Sequence, residues 1–195
     1  KMIERLDRPN AVRDFPPHVH SLYLAGALYA RGVAECWRDD SRALECAERL
    51  EGLKLKLYDM SADQVRMMYY ANRGNIELFE RFRQRVEVHA IQRGTAWQVE
   101  MWTFSGLITV YLRTHDIAGL KDCVEQLRRV HAEVPSLEPA YNRALAAYLV
   151  ARGTPSEACD LVGKGEHPKQ LVGWTRGEGV RARAYNALGE HARAR

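Results

Sequence analysis

Short polar turns of the kind that join antiparallel helices recur along this chain, at Arg38-Asp39-Asp40, Arg73-Gly74-Asn75, Thr114-His115-Asp116, Arg152-Gly153-Thr154 and Leu188-Gly189-Glu190. Their middle residues are separated by 35, 41, 38 and 36 positions. A period in this range points to stacked two-helix units, because one hairpin cannot bury its own apolar face and must lean on the next. Composition agrees. The 24 alanines and 20 leucines outnumber the 26 valines, isoleucines and threonines, whose branched side chains lose rotamer freedom in a helix. All seven prolines lie at 9, 16, 17, 135, 139, 155 and 168, so the stretch from His18 to Val134 carries no helix breaker.

Between the turns the apolar spacing is helical. Trp97, Met101, Phe104, Ile108 and Tyr111 mark one amphipathic helix from Ala96 to Arg113. Its partner runs from about Ile117 to Glu133, with Leu120, Val124, Leu127, Val130 and Val134 as the buried line, Lys121, Asp122, Glu125, Arg128 and Arg129 on the wet side, and Pro135 as the stop. Asn75 is placed to cap a helix over Ile76 to Arg93, Gly94 to close it and Thr95 to cap the next. Pro139 falls in a first turn, and Thr154-Pro155 puts a capping threonine before a proline at the first helical position. Gly163 to Gly173 reads as a short second helix followed by a loop. Pro9, Pro16 and Pro17 give residues 1–16 an irregular lead-in after a short helix. The chain stops at His191-Ala192-Arg193-Ala194-Arg195, inside what should be the second helix of a fifth unit, and is expected to be a fragment or to continue.

Charge narrows the function. Residues 1–168 carry 23 basic and 23 acidic side chains, and residues 169–195 carry six and two, so the whole excess of +4 sits at one end. Phosphate-backbone binding needs a broad cationic footprint, and nucleic acid is not the expected partner. No apolar run reaches bilayer length and no basic-then-apolar leader opens the chain, so it reads as soluble and cytoplasmic. Cys36, Cys46, Cys123 and Cys159 are too dispersed for a zinc site and are expected to be reduced, with Cys123 and Cys159 on apolar helical faces.

Catalytic signatures are missing. His18-x-His20 opens a helix, where alternate residues do not share a face. Gly163-Lys164-Gly165 lacks the spacing and the preceding strand of a phosphate loop. No serine lies in GxSxG, no cysteine adjoins a histidine, and Asp39-Asp40 suits a helix cap. The expectation is a protein that is not an enzyme and takes no metal or cofactor. Trp97 and Trp102, five apart on one helix, cannot share a face; Trp97 aligns with the core line, which leaves Trp102 for an inner surface.

The chain resembles the tetratricopeptide repeats, including the longer variants of large bacterial regulators, over roughly residues 20–195. Tyr70 precedes Gly74-Asn75, Tyr111 precedes His115-Asp116, Tyr148 lies before Gly153 and Tyr185 precedes Gly189; Ala158 and Ala194 stand five residues after a turn glycine. Phe79 and Leu120 depart from that alanine, Ile108 from a preferred small residue, and the unit around Asp39 matches loosely. Armadillo-like and other hairpin solenoids remain alternatives.

The resemblance implies an all-α, right-handed superhelical solenoid of nine to ten helices over 17–195, with units at about 17–58, 59–94, 95–135, 136–168 and an incomplete 169–195. It also implies ligand-facing positions on each first helix: Ser61, Gln64, Met68 and Ala71; Trp102, Ser105, Thr109 and Leu112; Ala140, Arg143, Ala147 and Val150; Arg176, Gly179, Arg183 and Asn186. The concave surface then runs from a centre at Trp102, Ser105 and Thr109, beyond Gln64 and Met68, to a basic end at Arg143, Arg176, Arg183 and Asn186. Such a surface suits a peptide or protein with an acidic or carboxylate end. The leading expectation is a protein-interaction scaffold. The alternative is a regulatory or sensory module of a larger bacterial kinase or ATPase-type signalling protein, served by flanking domains of the same polypeptide. Exposed end units also make self-association an expectation.

Overall fold

The computed structural model of the chain describes residues 17–94, 96–163 and 180–194. Among them every regular element is a helix. In chain order these are α1 (Pro17–Trp37), α2 (Arg42–Gly52), α3 (Asp59–Asn72), α4 (Ile76–Arg93), α5 (Ala96–Thr114), α6 (Ile117–Glu133), α7 (Glu138–Arg152) and α8 (Pro155–Gly163). A further helix, α9, covers 180–187. Short 3-10 turns at Lys56–Tyr58 and Pro135–Leu137 lead into α3 and α7, and Pro139 falls in the first turn of α7. The irregular lead-in over 1–16, the cap at Thr95 and the loop within 164–179 lie outside the described residues.

One backbone geometry ends the helix before each of the five turns. The middle residue is left-handed in every case, with φ of 56° at Asp39, 66° at Gly74, 55° at His115, 87° at Gly153 and 77° at Gly189. The next amide then donates to a carbonyl five residues back: Asp40 to Glu35 (3.0 Å), Asn75 to Tyr70 (3.0 Å), Asp116 to Tyr111 (2.9 Å), Thr154 to Leu149 (2.9 Å) and Glu190 to Tyr185 (2.9 Å). The amides of Asp39, Gly74, Gly153 and Gly189 each donate three residues back as well. These paired bonds are the Schellman ending, which satisfies carbonyls that the last helical turn leaves open.

The residue after the left-handed one often serves both helices. Asn75 Oδ1 accepts from the Leu78 amide (3.1 Å), Asp116 Oδ1 from Gly119 (2.8 Å) and Asp40 Oδ1 from Arg42 (2.9 Å). The hydrogen bonds of Asp40 to Arg42 hold its carboxyl down at about 2. Thr154 departs from the expected cap. Its hydroxyl donates backward to the Leu149 carbonyl (3.3 Å), which also accepts from the Thr154 amide. Gly94 closes α4 with φ of 66°, as its position predicts.

The described residues divide into two compact units between Trp102 and Thr103. In the first, α1 packs on α2 and α3, and α3 on α2 and α4. Leu28, Cys36, Leu50 and Val65 form its centre, and wholly buried Phe79, Val86 and Ala90 fix the inward face of α4. In the second, α7 packs on α6 and α8. Its core joins Phe104 and Ile108 of α5, Leu120 and Leu127 of α6, Ala144 and Ala147 of α7, Ala158 of α8, and Val180 and Ala184 of α9. Phe79 and Leu120, large where the repeat pattern prefers alanine, are therefore core residues. Gly119 lets Tyr111 lie close to α6: a methyl group there would stand 2.7 Å from the tyrosine ring. One expectation changes. Val134 is exposed because it is the extended residue after α6 and leaves the helical register. Cys159 packs against the second core, as its apolar helical face predicts, but is only partly buried.

At Gly153 a side chain would meet nothing within 4 Å, so substitution there tests the backbone alone. Gly153→Ala is expected to lower unfolding free energy by about 1 kcal/mol, and His115→Gly to raise it by up to about 1 kcal/mol, through the cost of a left-handed L-residue. Urea unfolding midpoints check both.

Candidate functional site

Spacing by four places Ser105, Thr109 and Arg113 along one face of α5. The Thr109 hydroxyl donates to the Ser105 carbonyl (2.8 Å), and Ser105 Oγ accepts from Arg143 Nη2 of α7 (3.0 Å). Both members of that pair are buried, Ser105 at 7% exposure and Arg143 at 9%. Of the positions expected to face a ligand, these two are thus drawn into a contact between helices. Thr109 and Leu112 are half-buried, and Arg183 and Asn186 on α9 are exposed. Asn186 Oδ1 lies 3.2 Å from His191 Nδ1. Burial of the Arg183 head by surrounding protein, and then repulsion from Arg113, hold its guanidinium pKa below the ordinary value, although the residue as a whole is exposed. The side chain of Trp102 and all of Arg176 lie outside the described residues.

In the first unit Gln64 is 3% exposed and Met68 7%. Gln64 Oε1 accepts from the Tyr29 hydroxyl (3.1 Å), which ties α3 to α1, and Met68 belongs to the core. Neither presents a free face to a ligand here.

The same unit holds a charged cluster that the sequence reading missed. Asp63 of α3 is 1% exposed. Its Oδ1 accepts from Arg66 Nη1 (3.2 Å), while Oδ2 faces Arg85 Nε (3.0 Å) and His89 Nε2 (3.7 Å) of α4. The Arg85 N–H is not aimed at Oδ2, so this is an ion pair without a hydrogen bond, and Oδ2 is buried with no donor. Arg66 also reaches Glu51 of α2 (2.6 Å), and Arg66 and Arg85 lie over the Phe82 ring at 5.7 and 5.6 Å. Burial pushes the Asp63 carboxyl above its ordinary 3.8, against the pull of Arg85, Arg66 and His89. The signal was slender: an Asp63–Arg66 pair at i,i+3, with Arg85 and His89 one turn apart on the next helix, reads along the chain as ordinary wet-face charge.

Among the described residues no group of three or more His, Cys, Asp or Glu side chains could hold a metal ion, and no helix is long and apolar enough to cross a membrane. All four cysteines are free thiols. Burial pushes Cys36 and Cys123 up to about 12, which starves them of the reactive thiolate. No protein-family model matches the chain, and comparison with curated proteins and with solved structures returns no match.

Two outcomes are expected. Because folding raises the Asp63 pKa, the folded state takes up a proton more readily than the unfolded chain, and this group's contribution to stability falls as pH rises from 3.8 through the raised value. Urea unfolding across mildly acidic pH should therefore show the wild type gaining on Asp63→Asn as pH drops; a relative loss would contradict it. In thiol labelling of the native chain at pH 8, Cys159 reacts first, and Cys36 and Cys123 react only after unfolding.

Proposed function

We propose that the chain is a solenoid of helical hairpins of the tetratricopeptide type, and that it acts as a non-catalytic scaffold binding an acidic peptide or partner protein along its first helices. The observation that carries this reading is the recurrence, five times at near-constant spacing, of one helix ending: a residue at positive φ followed by an amide that donates five residues back. A repeated turn of that kind sets successive hairpins side by side, and hairpin arrays leave one row of helices lining an extended inner surface. The ligand-facing role falls to the carried positions that keep exposure, half-buried Ser61, Thr109, Leu112 and Val150 and exposed Arg183 and Asn186. Gln64 with Tyr29 in the first unit, and Arg143 with Ser105 in the second, each hold neighbouring helices of their own unit in register. Four unpaired thiols suit a reducing compartment such as the cytoplasm.

The reading is tested by selecting peptides from a random display library on the full chain. Acidic peptides are expected to be enriched, and Arg183→Glu should weaken the best of them at least tenfold, about 1.4 kcal/mol. No enrichment, or affinity unchanged in Arg183→Glu combined with Thr109→Arg, overturns it.

A further inference from the structure

We propose that Arg66 of α3 and Arg85 of α4 form a carboxylate-binding site on the first unit, and that Glu51 of α2 occupies it as a stand-in for an acidic side chain of a partner protein. The site uses none of the positions to which the scaffold reading gives a ligand-facing role, and it does not rest on that reading.

Several ion pairs of the chain lie within one helix, as Arg83 with Glu80 and Glu87 or Arg128 with Glu125. This cluster joins three helices instead. Arg66 Nη2 donates to Glu51 Oε2 (2.6 Å), and Arg85 Nη2 lies 4.0 Å from Glu51 Oε1, so the two guanidiniums face different oxygens of one carboxylate. Both heads are fixed from behind. Arg66 Nη1 donates to buried Asp63 Oδ1, Arg85 Nε stands 3.0 Å from Asp63 Oδ2, and both lie over the Phe82 ring, itself stacked on Tyr70 with 5.7 Å between centroids. Glu51 is held far less firmly. It is the next-to-last residue of α2, and its side chain is 56% exposed, against 12% for that of Arg66. An exposed carboxylate in such a contact contributes little to stability, so its exchange for another carboxylate costs little. The cations beneath stay in place, which is the preorganisation that a ligand needs. Charge selects the ligand. With Asp63 ionised and His89 neutral, two guanidiniums against one buried carboxylate leave one positive charge, and a single carboxylate answers it through charge-assisted hydrogen bonds. A phosphate dianion carries one charge too many.

The test is chemical rescue on the full chain. Glu51→Ala empties the site, and sodium acetate supplies the group removed. Binding is followed through the Arg66 and Arg85 Nε–Hε resonances at constant ionic strength, with sodium chloride as the balance and sodium phosphate in a parallel arm. Glu51→Ala is expected to show a saturable acetate-dependent shift of both resonances. The wild type should need at least about threefold more acetate for half the shift, because its own Glu51 competes from within the chain. Glu51→Gln, which keeps the side-chain length without the charge, is titrated alongside and should respond as Glu51→Ala does. Adding Arg85→Gln to Glu51→Ala should abolish the shift at Arg66. No saturable shift in either Glu51 variant, an equal response in the wild type, or a shift at Arg66 that survives Arg85→Gln overturns the site. A response to phosphate alone overturns its assignment to carboxylates. Because the probe is a small anion and the readout is at Arg66 and Arg85, the result is independent of peptide selection on the scaffold surface.

Discussion

The structure depends on a left-handed residue at the end of a helix. An α-helix leaves its last carbonyls without partners, and a chain of hairpins meets that problem at every turn. Here one solution is used five times: a residue at positive φ swings the following amide back over the helix end, where it reaches a carbonyl five residues earlier. At three turns the side chain that follows also opens the next helix, so a single residue closes one element and starts another. Glycine fills the left-handed position at Gly74, Gly153 and Gly189. Asp39 and His115 take it at a steric cost that their turns absorb.

Polar groups inside the units have a second role. Gln64 with Tyr29, Arg143 with Ser105, and Asp63 with Arg66, Arg85 and His89 all join helices that also share apolar contacts. Burying such groups costs free energy unless partners are supplied, and each partner has one geometry. The helices are thereby held at defined rotations, which apolar packing of alanine and leucine alone would fix less tightly. Asp63 is the incomplete case. Its second oxygen is enclosed by cations yet receives no hydrogen bond, and so its charged form is held less firmly than the surrounding arginines suggest.

Most of the helices were legible in the sequence, because their ends are written in local chemistry. Asn75, Gly94, Asp116 and Pro139 mark boundaries through their own backbone and side-chain preferences, and the line Leu120, Val124, Leu127 follows from the helical period. What lay beyond reach depends on contacts between distant residues. Nothing near Ser105 announces that Arg143, 38 positions on, will donate to it. Nothing near Gln64 announces Tyr29. Positions on the first helices therefore looked alike, although some face solvent and others are buried between helices. Thr154 failed for a local reason: a hydroxyl can serve either the helix behind it or the one ahead, and the sequence does not rank the two.

The central claim is that one turn geometry recurs whatever residue occupies its middle position. Solution NMR of the intact chain measures it directly, through cross-correlated relaxation or three-bond couplings that report φ at Asp39, Gly74, His115, Gly153 and Gly189. All five are expected at positive φ, with the amides of Asp40, Asn75, Asp116, Thr154 and Glu190 protected from exchange. Ordinary helical φ at Asp39 and His115, with unprotected amides after them, would contradict the account.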